Sequence, residues 1–571
     1  MRGRNIAFAL IIFGTSLFLF TRGLELYGFE YRDDEIFYVK STQEMITTNH
    51  YLAPSYFGEH RFQKPILYYW MILLSYKFFG IGWVGARMVA ALFGALTVLL
   101  TWKMAEELCD KKIAWMSAVI LATIPLFFRH AKNAVPDMPL TFCIVSAMYF
   151  GIKLWREPKA LYSALFFISC GVGFMIKGYA ALVIPLGTFL LYACWTKQTR
   201  HLKSFRWGWG LLILAVLILP WFIYMFKQYG SVYIQYIWVD EIKSRIMNRP
   251  GNVVIVKSSE FLSHIFFYIR NIFVYFMPWS LWGVAAIPFA FTNRKMEQNT
   301  FLHNKFLLSW IIVTIMFFSS LYFVINHYML AIATPFAILT AVFLSYYWKP
   351  ATVLFSNRLV IFLLFAGLLV FSFLLVFFMK YNPLWFVLLL AIGWRLSIWI
   401  KQSSHMLRGA LVLGCFLLFF YAQSPLLSKA GLTVHTSLQR FAQTIQESKK
   451  RPRAIGVGSA DLHGKEFQIY FDEPVEETAY KQLDGNSDNL MRFLNKEETV
   501  FCLIKREEFE RLLRDYKMAF PLTLMQEEYV LRRRFNLNGG FVLALLKFDR
   551  EAVKNYLMET VVLVRKDPPH A

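Results

Sequence analysis

Tyr31-Arg32-Asp33-Asp34-Glu35-Ile36-Phe37-Tyr38 is the stretch on which the reading of this chain turns. It follows one apolar segment, Asn5 to Leu24, and precedes a long train of others. Three consecutive carboxylates between apolar spans belong in a polar loop, because a charge in hydrocarbon is costly. If the first span runs outward, that loop lies at the outer membrane face, within reach of a lipid-borne substrate. Alone, such a loop reads as a solvated turn with ordinary charges. The case for chemistry rests on what surrounds it.

Of 571 residues, 57% are hydrophobic and only 17% charged, where a soluble domain carries about 25% charged residues. This is the composition of a membrane protein. The net charge of +23 comes from Lys and Arg in short clusters between apolar segments, as in cytoplasmic loops, so nucleic acid is set aside as a partner. The six cysteines include no CxxC pair, which supports neither a zinc knuckle nor a disulfide framework. Met1-Arg2-Gly3-Arg4 and the apolar run behind it lack a small-x-small cleavage site before Glu25. A retained first helix is expected.

A span needs about 20 apolar residues. Thirteen candidates are centred near Phe13, Phe93, Val119, Val145, Phe167, Pro185, Ile213, Trp279, Ile315, Ile338, Phe365, Leu388 and Phe416. With the N-terminus in the cytoplasm, every inner loop is basic, from Lys111 and Lys112 to Lys401 and Arg408, as the positive-inside rule requires. Two outer connections are long, 25–82 and 228–264, and long loops kept on one side usually carry function. The first holds Pro65 to Leu74, too short to span before Gly80-Ile81-Gly82 and rich in Tyr and Trp. It reads as an interfacial helix. After Ser424 the chain turns polar. β-like runs (Ala454 to Val457, Glu466 to Phe471, Thr499 to Ile504, Gly540 to Lys547) alternate with helical patterns (Ser437 to Glu447, Arg506 to Tyr516). The expected fold is a polytopic α-helical membrane domain over 1–427, followed by a small soluble α/β domain over 428–571. Thirteen spans from an inside start put that domain outside, which in a bacterium is the periplasm.

Four outer-face features then line up: Asp33-Asp34-Glu35; His60-Arg61-Phe62-Gln63-Lys64-Pro65 with Tyr69-Trp70; Arg129 to Leu140; and Lys177-Gly178. Carboxylates beside a ring of Arg and Lys suit a phosphate-bearing substrate, because cations neutralise a leaving phosphate. One carboxylate can then deprotonate or orient an acceptor.

The pattern resembles the polytopic lipid-phosphate-sugar glycosyltransferases of the GT-C fold. Within them it is nearest the bacterial branch of the aminoarabinose lipid A transferase and relatives of the protein O-mannosyltransferase type. Asp34-Glu35-Ile36-Phe37-Tyr38 is similar to the family's Asp-Glu-x-x-Tyr, and Phe62-Gln63-Lys64-Pro65 with Tyr69-Trp70 to its Phe-Glu-Lys-Pro-Pro-Leu-x-Tyr-Trp. Arg129 with Asp137-Met138-Pro139-Leu140 resembles its Arg and Asp-Met-Pro-Leu turn, and Lys177-Gly178 before Pro185 its Lys-Gly-Pro span. The resemblance implies an inverting transfer of one sugar, such as 4-amino-4-deoxy-L-arabinose or a hexose. The donor would be an undecaprenyl-phosphate carrier, and the acceptor lipid A or another glycolipid, or a protein, at the periplasmic face of the inner membrane. It implies Asp34 as the principal catalytic carboxylate, supported or replaced by Glu35. Lys64, Arg129 and Lys177 would hold the carrier phosphate, with Asp137 orienting one of them. Asp33, Tyr38, Arg61, Gln63, Tyr69, His327 and Tyr328 are supporting candidates, and a monomer is expected.

Departures bear on a metal. The family's loop acid is Gln63 here, and an amide is a poor ligand for a divalent cation beside a lone carboxylate. A cation is left open, with Asp34 as its ligand. The family's Lys-Leu-Pro-x-Tyr reads Val324-Ile325-Asn326-His327-Tyr328, without its Lys, and the second long loop offers Asp240-Glu241 and Arg245.

Plainer readings stand beside these. Lys132 is expected to snorkel to headgroups, Asp137 to serve equally as a helix cap, and Tyr68 to Trp70 to form an interface belt. His60, His130 and His327 read as loop hydrogen-bonders, and Lys449-Lys450-Arg451-Arg453 as a solvated surface. Arg532-Arg533-Arg534 has a smaller claim on lipid A phosphates. A polyprenyl-lipid transporter would need charges deep inside spans and pseudo-repeats, and neither appears in the sequence. A ligase using a diphosphate carrier differs at Asp-Glu-x-x-Tyr and Asp-Met-Pro-Leu.

Overall fold

The computed structural model describes residues 2–25, 34–236, 258–292, 298–322, 324–346, 350–373, 384–402, 406–422, 434–448, 453–458, 467, 471, 475–477, 488–515, 522–531, 539–547 and 549–568. Asp33, Asp240, Glu241, Arg245, the Lys449-Lys450-Arg451 run and Arg532-Arg533-Arg534 lie outside them. The chain forms two compact units. One comprises 1–24, 37–368 and 390–422; the other comprises 25–36, 369–389 and 423–571.

The first unit is helical. Its early elements are α1 (Arg2–Thr21), α2 (Glu35–Thr48, shared with the second unit), the hairpin β1 (Ser55–Tyr56) and β2 (Glu59–His60), α3 (Leu67–Phe79), α4 (Trp83–Leu108) and α5 (Lys111–Thr123). Then come α6 (Pro125–His130), α7 (Asp137–Arg156), α8 (Ala160–Lys177), α9 (Ala180–Thr196) and α10 (Trp207–Gln235). Later helices are Ser258–Tyr275, Ser280–Thr292, Gln298–Ser319, Leu330–Tyr346, Pro350–Phe373, Leu384–Lys401 and Met406–Ala422.

Among the described residues, seven helices are long and apolar enough to cross a membrane, and three shorter apolar helices accompany them. Twelve of the thirteen expected centres fall on helices; Trp279 instead falls between Ser258–Tyr275 and Ser280–Thr292. Pro278 explains that break, since it has no N–H to continue a helix.

Burial ranks the helices. In the span Asn326–Tyr346, 94% of its 18-residue apolar window is buried, against 17% in α10, which exposes Leu211, Val216, Leu219 and Ile223. That apolar surface is what lipid accepts. The segment expected to be interfacial is α3, whose Tyr68, Tyr69, Ile72, Ser75 and Tyr76 are buried at helical spacing. Tyr68 and Tyr69 are therefore core residues and not an interface belt. The corner after α3 requires glycine: Gly80 has φ +81, and a Cβ on Gly85 would sit 2.3 Å from the Gly80 carbonyl.

In the second unit, a five-stranded sheet has the order β4-β3-β5-β7-β6. The strands are β3 (Arg453–Val457), β4 (Val475–Glu477), β5 (Thr499–Lys505), β6 (Thr523–Leu531) and β7 (Met558–Lys566). β3 pairs in parallel with β4 and β5, and β7 pairs antiparallel with β5 and β6. Successive β5 residues alternate between two cores. Phe501 and Leu503 meet Phe441 and Ile445 of helix Val434–Glu447; Val500, Cys502 and Ile504 meet Phe493, Phe509 and Leu512. A strand covered on both faces reads as a continuous apolar run, which is why β5 is plain in sequence.

One expectation is overturned. Gly540 to Lys547, a β-like run in sequence, lies on the helix Gly539–Leu546. A short apolar run does not separate strand from buried helix, and Leu and Ala favour the helix. The expected run Glu466 to Phe471 lies largely outside the described residues.

Candidate active site

The site grows from two helix ends. α7 begins at Asp137 and α8 ends at Lys177, where Gly178 (φ +100) returns its N–H to the Phe174 carbonyl at 2.7 Å. An acid at a helix N-terminus and a cation at a C-terminus each complement the local dipole. Because α7 and α8 are sequential neighbours packed side by side, these ends meet: Lys177 Nζ lies 2.7 Å from Asp137 Oδ1, with both side chains largely buried. Asp137 is the first residue of α7 and Pro136 its cap, so this carboxylate serves the lysine instead of capping the helix. His327 Nε2 approaches the same oxygen at 3.5 Å. It sits in the turn Asn326–Met329 that enters helix Leu330–Tyr346. Tyr328 stacks on Phe318 at 4.2 Å and places its ring 5.9 Å from the Lys177 ammonium. His130 bonds the Leu126 carbonyl at 2.8 Å, with its ring 6.1 Å from that of His327.

A cavity of about 160 Å³ gathers this group with Phe62, Gln63, Lys64 and Pro65. Leu140, Ile144, Phe174, Trp221, Phe222, Tyr233 and Phe318 supply apolar wall. Charges act strongly in such surroundings, and an apolar pocket holding two lysines suits an amphipathic anion.

The 62–65 segment is held by a hairpin. Its turn, Phe57-Gly58, takes φ +52 and +78, unusual for Phe. The Glu44 carboxylate of α2 stabilises it, accepting Ser55 Oγ at 2.6 Å, the Phe57 N–H, and the Gly58 N–H at 3.3 Å. Arg61 follows, donating to the Tyr69 hydroxyl at 3.1 Å and lying 4.3 Å from the Phe37 ring and 5.5 Å from that of Tyr38. Burial draws the Arg61 guanidinium down, but Tyr69 and Tyr38 outweigh it and leave it above its usual value. Phe62 packs on Tyr229 and Tyr233 of α10, bringing Gln63 and Lys64 to the cavity.

Of the expected residues, Gln63, Lys64, Asp137, Lys177, His327 and Tyr328 line this one cavity. Arg61, Tyr38 and Tyr69 form the cluster beneath the hairpin instead. Arg129 is half-buried at the end of α6 and is not part of the lining. Asp34 is exposed ahead of α2 and Glu35 is buried in its first turn; both group with the second unit, whereas the lining comes from the first. Lys132, expected to snorkel, is 6% exposed and sits 5.0 Å from the Phe128 ring, because the whole turn around it is buried. Sequence reasoning missed Glu44, Trp221 and Tyr233, which no short motif marks. Among the described residues, no three His, Cys, Asp or Glu side chains gather as a cation site. An amide at Gln63 and a carboxylate engaged by Lys177 make a poor donor set for a divalent ion.

The model of the dolichyl-phosphate-mannose-protein mannosyltransferase family matches residues 63–224, the stretch holding Gln63, Lys64, Asp137 and Lys177. An uncharacterised protein of Aquifex aeolicus is 27% identical over 56% of this chain and 60% of its own length. The undecaprenyl phosphate-alpha-4-amino-4-deoxy-L-arabinose arabinosyl transferase 1 of Pseudomonas fluorescens is 27% identical over 85% of this chain and 90% of its own. The crystal structure of ArnT from Cupriavidus metallidurans bound to undecaprenyl phosphate superposes with a TM-score of 0.67 at 17% identity, covering 98% of this chain and 97% of that one. That likeness is one of fold. Polytopic helices, motif turns and relatives point the same way: the chain shares its fold with ArnT and resembles glycosyltransferases of the GT-C fold. Within that class it resembles the aminoarabinose transferases.

Proposed function

We propose that the chain transfers one sugar from an undecaprenyl-phosphate carrier to lipid A or lipopolysaccharide at the periplasmic face of the bacterial inner membrane. The observation that supports this most is the apolar cavity in which Lys64, Lys177, Asp137 and His327 come together. The acceptor oxygen attacks the anomeric carbon as the bond to the carrier phosphate breaks, so negative charge grows on the phosphate. Lys64 and Lys177 stabilise that charge, with Arg129 as a third cation, and a prearranged cation is worth most in water-poor surroundings. Asp137 holds the Lys177 ammonium in place. Asp34, supported by Glu35, takes the proton of a hydroxyl acceptor; a lipid A phosphate is already a nucleophile and needs little such help. The enzyme acts as a monomer of two domains, 1–427 in the membrane and 428–571 in the periplasm, with its N-terminus in the cytoplasm.

The mannosyltransferase family model favours a second reading, a protein acceptor. Mass spectrometry of lipid A and total glycolipid, from cells with and without the gene, separates the two. One pentose or hexose lost from lipid A in the deletion supports the first reading. Unchanged envelope glycolipids with altered glycopeptides support the second. Asp34→Asn restores neither product when it is expressed at normal levels; normal transfer by that variant removes the role given to Asp34.

A further inference from the structure

Among the described residues that line the cavity, one carries a buried side-chain polar atom with no hydrogen-bond partner, Gln63 Oε1. Leaving such an atom unmet costs about 1–3 kcal/mol, and in a native protein it calls for an explanation. Its place in the lining beside Lys64 supplies one: a donor group on the bound molecule completes it. The charges around it say which kind of group. Among the described lining residues Asp137 is the one carboxylate, and it already faces Lys177 at 2.7 Å and His327 at 3.5 Å. Lys64 and Lys177 give the lining a positive balance that a carrier phosphate neutralises. Among the described lining residues no carboxylate then remains for an ammonium on the sugar, the role proposed for Asp34 and Glu35 being at the acceptor, and a buried ammonium without a counter-charge is heavily penalised. A hydroxyl meets no such penalty. It donates to the Gln63 oxygen, and with the amide turned over it accepts from the NH₂ group instead.

We infer that Gln63 is a specificity-determining residue that reads a hydroxyl of the transferred sugar, and that the sugar is uncharged rather than a 4-amino sugar. This rests on the carrier-linked transfer proposed above and deepens it.

The test uses the purified full chain in liposomes with a lipopolysaccharide-containing lipid extract. Three probes are compared: undecaprenyl phosphate alone, and the same carrier bearing glucose or 4-amino-4-deoxy-arabinose. The readouts are donor consumption and the shift in Tm. The bare carrier raises Tm, and glucose is consumed at least tenfold more efficiently than the amino sugar. Gln63→Glu narrows that ratio tenfold or more, and Gln63→Met lowers use of the neutral donor about tenfold while keeping the Tm shift from the bare carrier. If the bare carrier stabilises the protein but the amino sugar is used equally well or better, the inference alone is overturned; a ratio untouched by Gln63→Glu also overturns it. If the bare carrier gives no shift and neither donor is consumed, the function proposed above fails and takes the inference with it.

Discussion

The two sides of the cavity are built on different principles. On one side Asp137, Lys177 and His327 answer one another across helix ends, at 2.7 and 3.5 Å, so this wall is arranged before anything binds. On the other, Gln63 and Lys64 ride on a loop whose geometry is set at a distance, by Glu44 at the hairpin turn and by Arg61 among Phe37, Tyr38 and Tyr69. The first wall trades charge for position. The second keeps an unmet oxygen at the cavity. In the function proposed above, the helical wall is the one that stabilises developing charge and the loop wall the one that distinguishes substrates.

The sharpest way to break this contrast is to remove the charge on the helical wall. Lys177→Met lowers kcat/KM about 10²–10³-fold, the size expected for losing a preorganised charge at a leaving group. Asp137→Ala deprives the largely buried Lys177 of its 2.7 Å carboxylate, and loss of one partner of a buried pair costs about 3–5 kcal/mol. The double variant Asp137→Ala/Lys177→Met is therefore more stable than Asp137→Ala alone. Thermal unfolding of all three in one detergent checks this; additive destabilisation would mean that the pair is not coupled.

The loop wall gives smaller, different losses. Lys64→Met raises the KM for a polyprenyl-phosphate donor about tenfold with a lesser change in kcat, because a loop lysine contributes to binding as well as to the transition state. Glu44→Ala touches nothing in the lining, yet it releases a turn that needs positive φ at Phe57, and backbone strain of that kind costs about 1–3 kcal/mol. It lowers kcat/KM about fivefold, and Glu44→Gln, which keeps one acceptor oxygen, lowers it less. Equal effects of the two Glu44 variants would show that its charge, and not its grip on the turn, is what matters.

What was legible in sequence follows the same division. Gln63, Lys64, Asp137 and Lys177 stand in short motifs at turns between apolar segments, where a polar residue is conspicuous. Their convergence was legible only as a shared membrane face. The direct pairing of Asp137 with Lys177 depends on where α7 starts and α8 stops. Glu44 was invisible because a carboxylate serving three donors in a turn looks like any surface acid. Tyr68, Tyr69 and Lys132 read as interface residues because their types suit an interface; tertiary packing buried them. In the second unit β5 was plain, but β6 carries Gln526, Glu527 and Glu528 and a register shift between Leu524 and Gln526, which hides its period of two. A continuous apolar run at 540–547 concealed a helix.

The least disruptive probe lies in the apolar part of the cavity wall, beside Tyr328. Phe318 stacks on Tyr328 at 4.2 Å with 14° between the rings, and Tyr328 in turn lies 5.9 Å from Lys177. Phe318→Leu keeps the apolar volume and loses the aromatic pairing, worth about 0.5–1.5 kcal/mol beyond burial. If the ring only fills space, Tm falls slightly and transfer is unchanged. If it steadies Tyr328 against the lysine, kcat falls about threefold while donor KM stays put, because the ground-state contacts of Lys64 and Gln63 are on the other wall. Repeating the substitution in Lys177→Met separates the cases: the threefold effect disappears there, since the charge it helped to position is already gone.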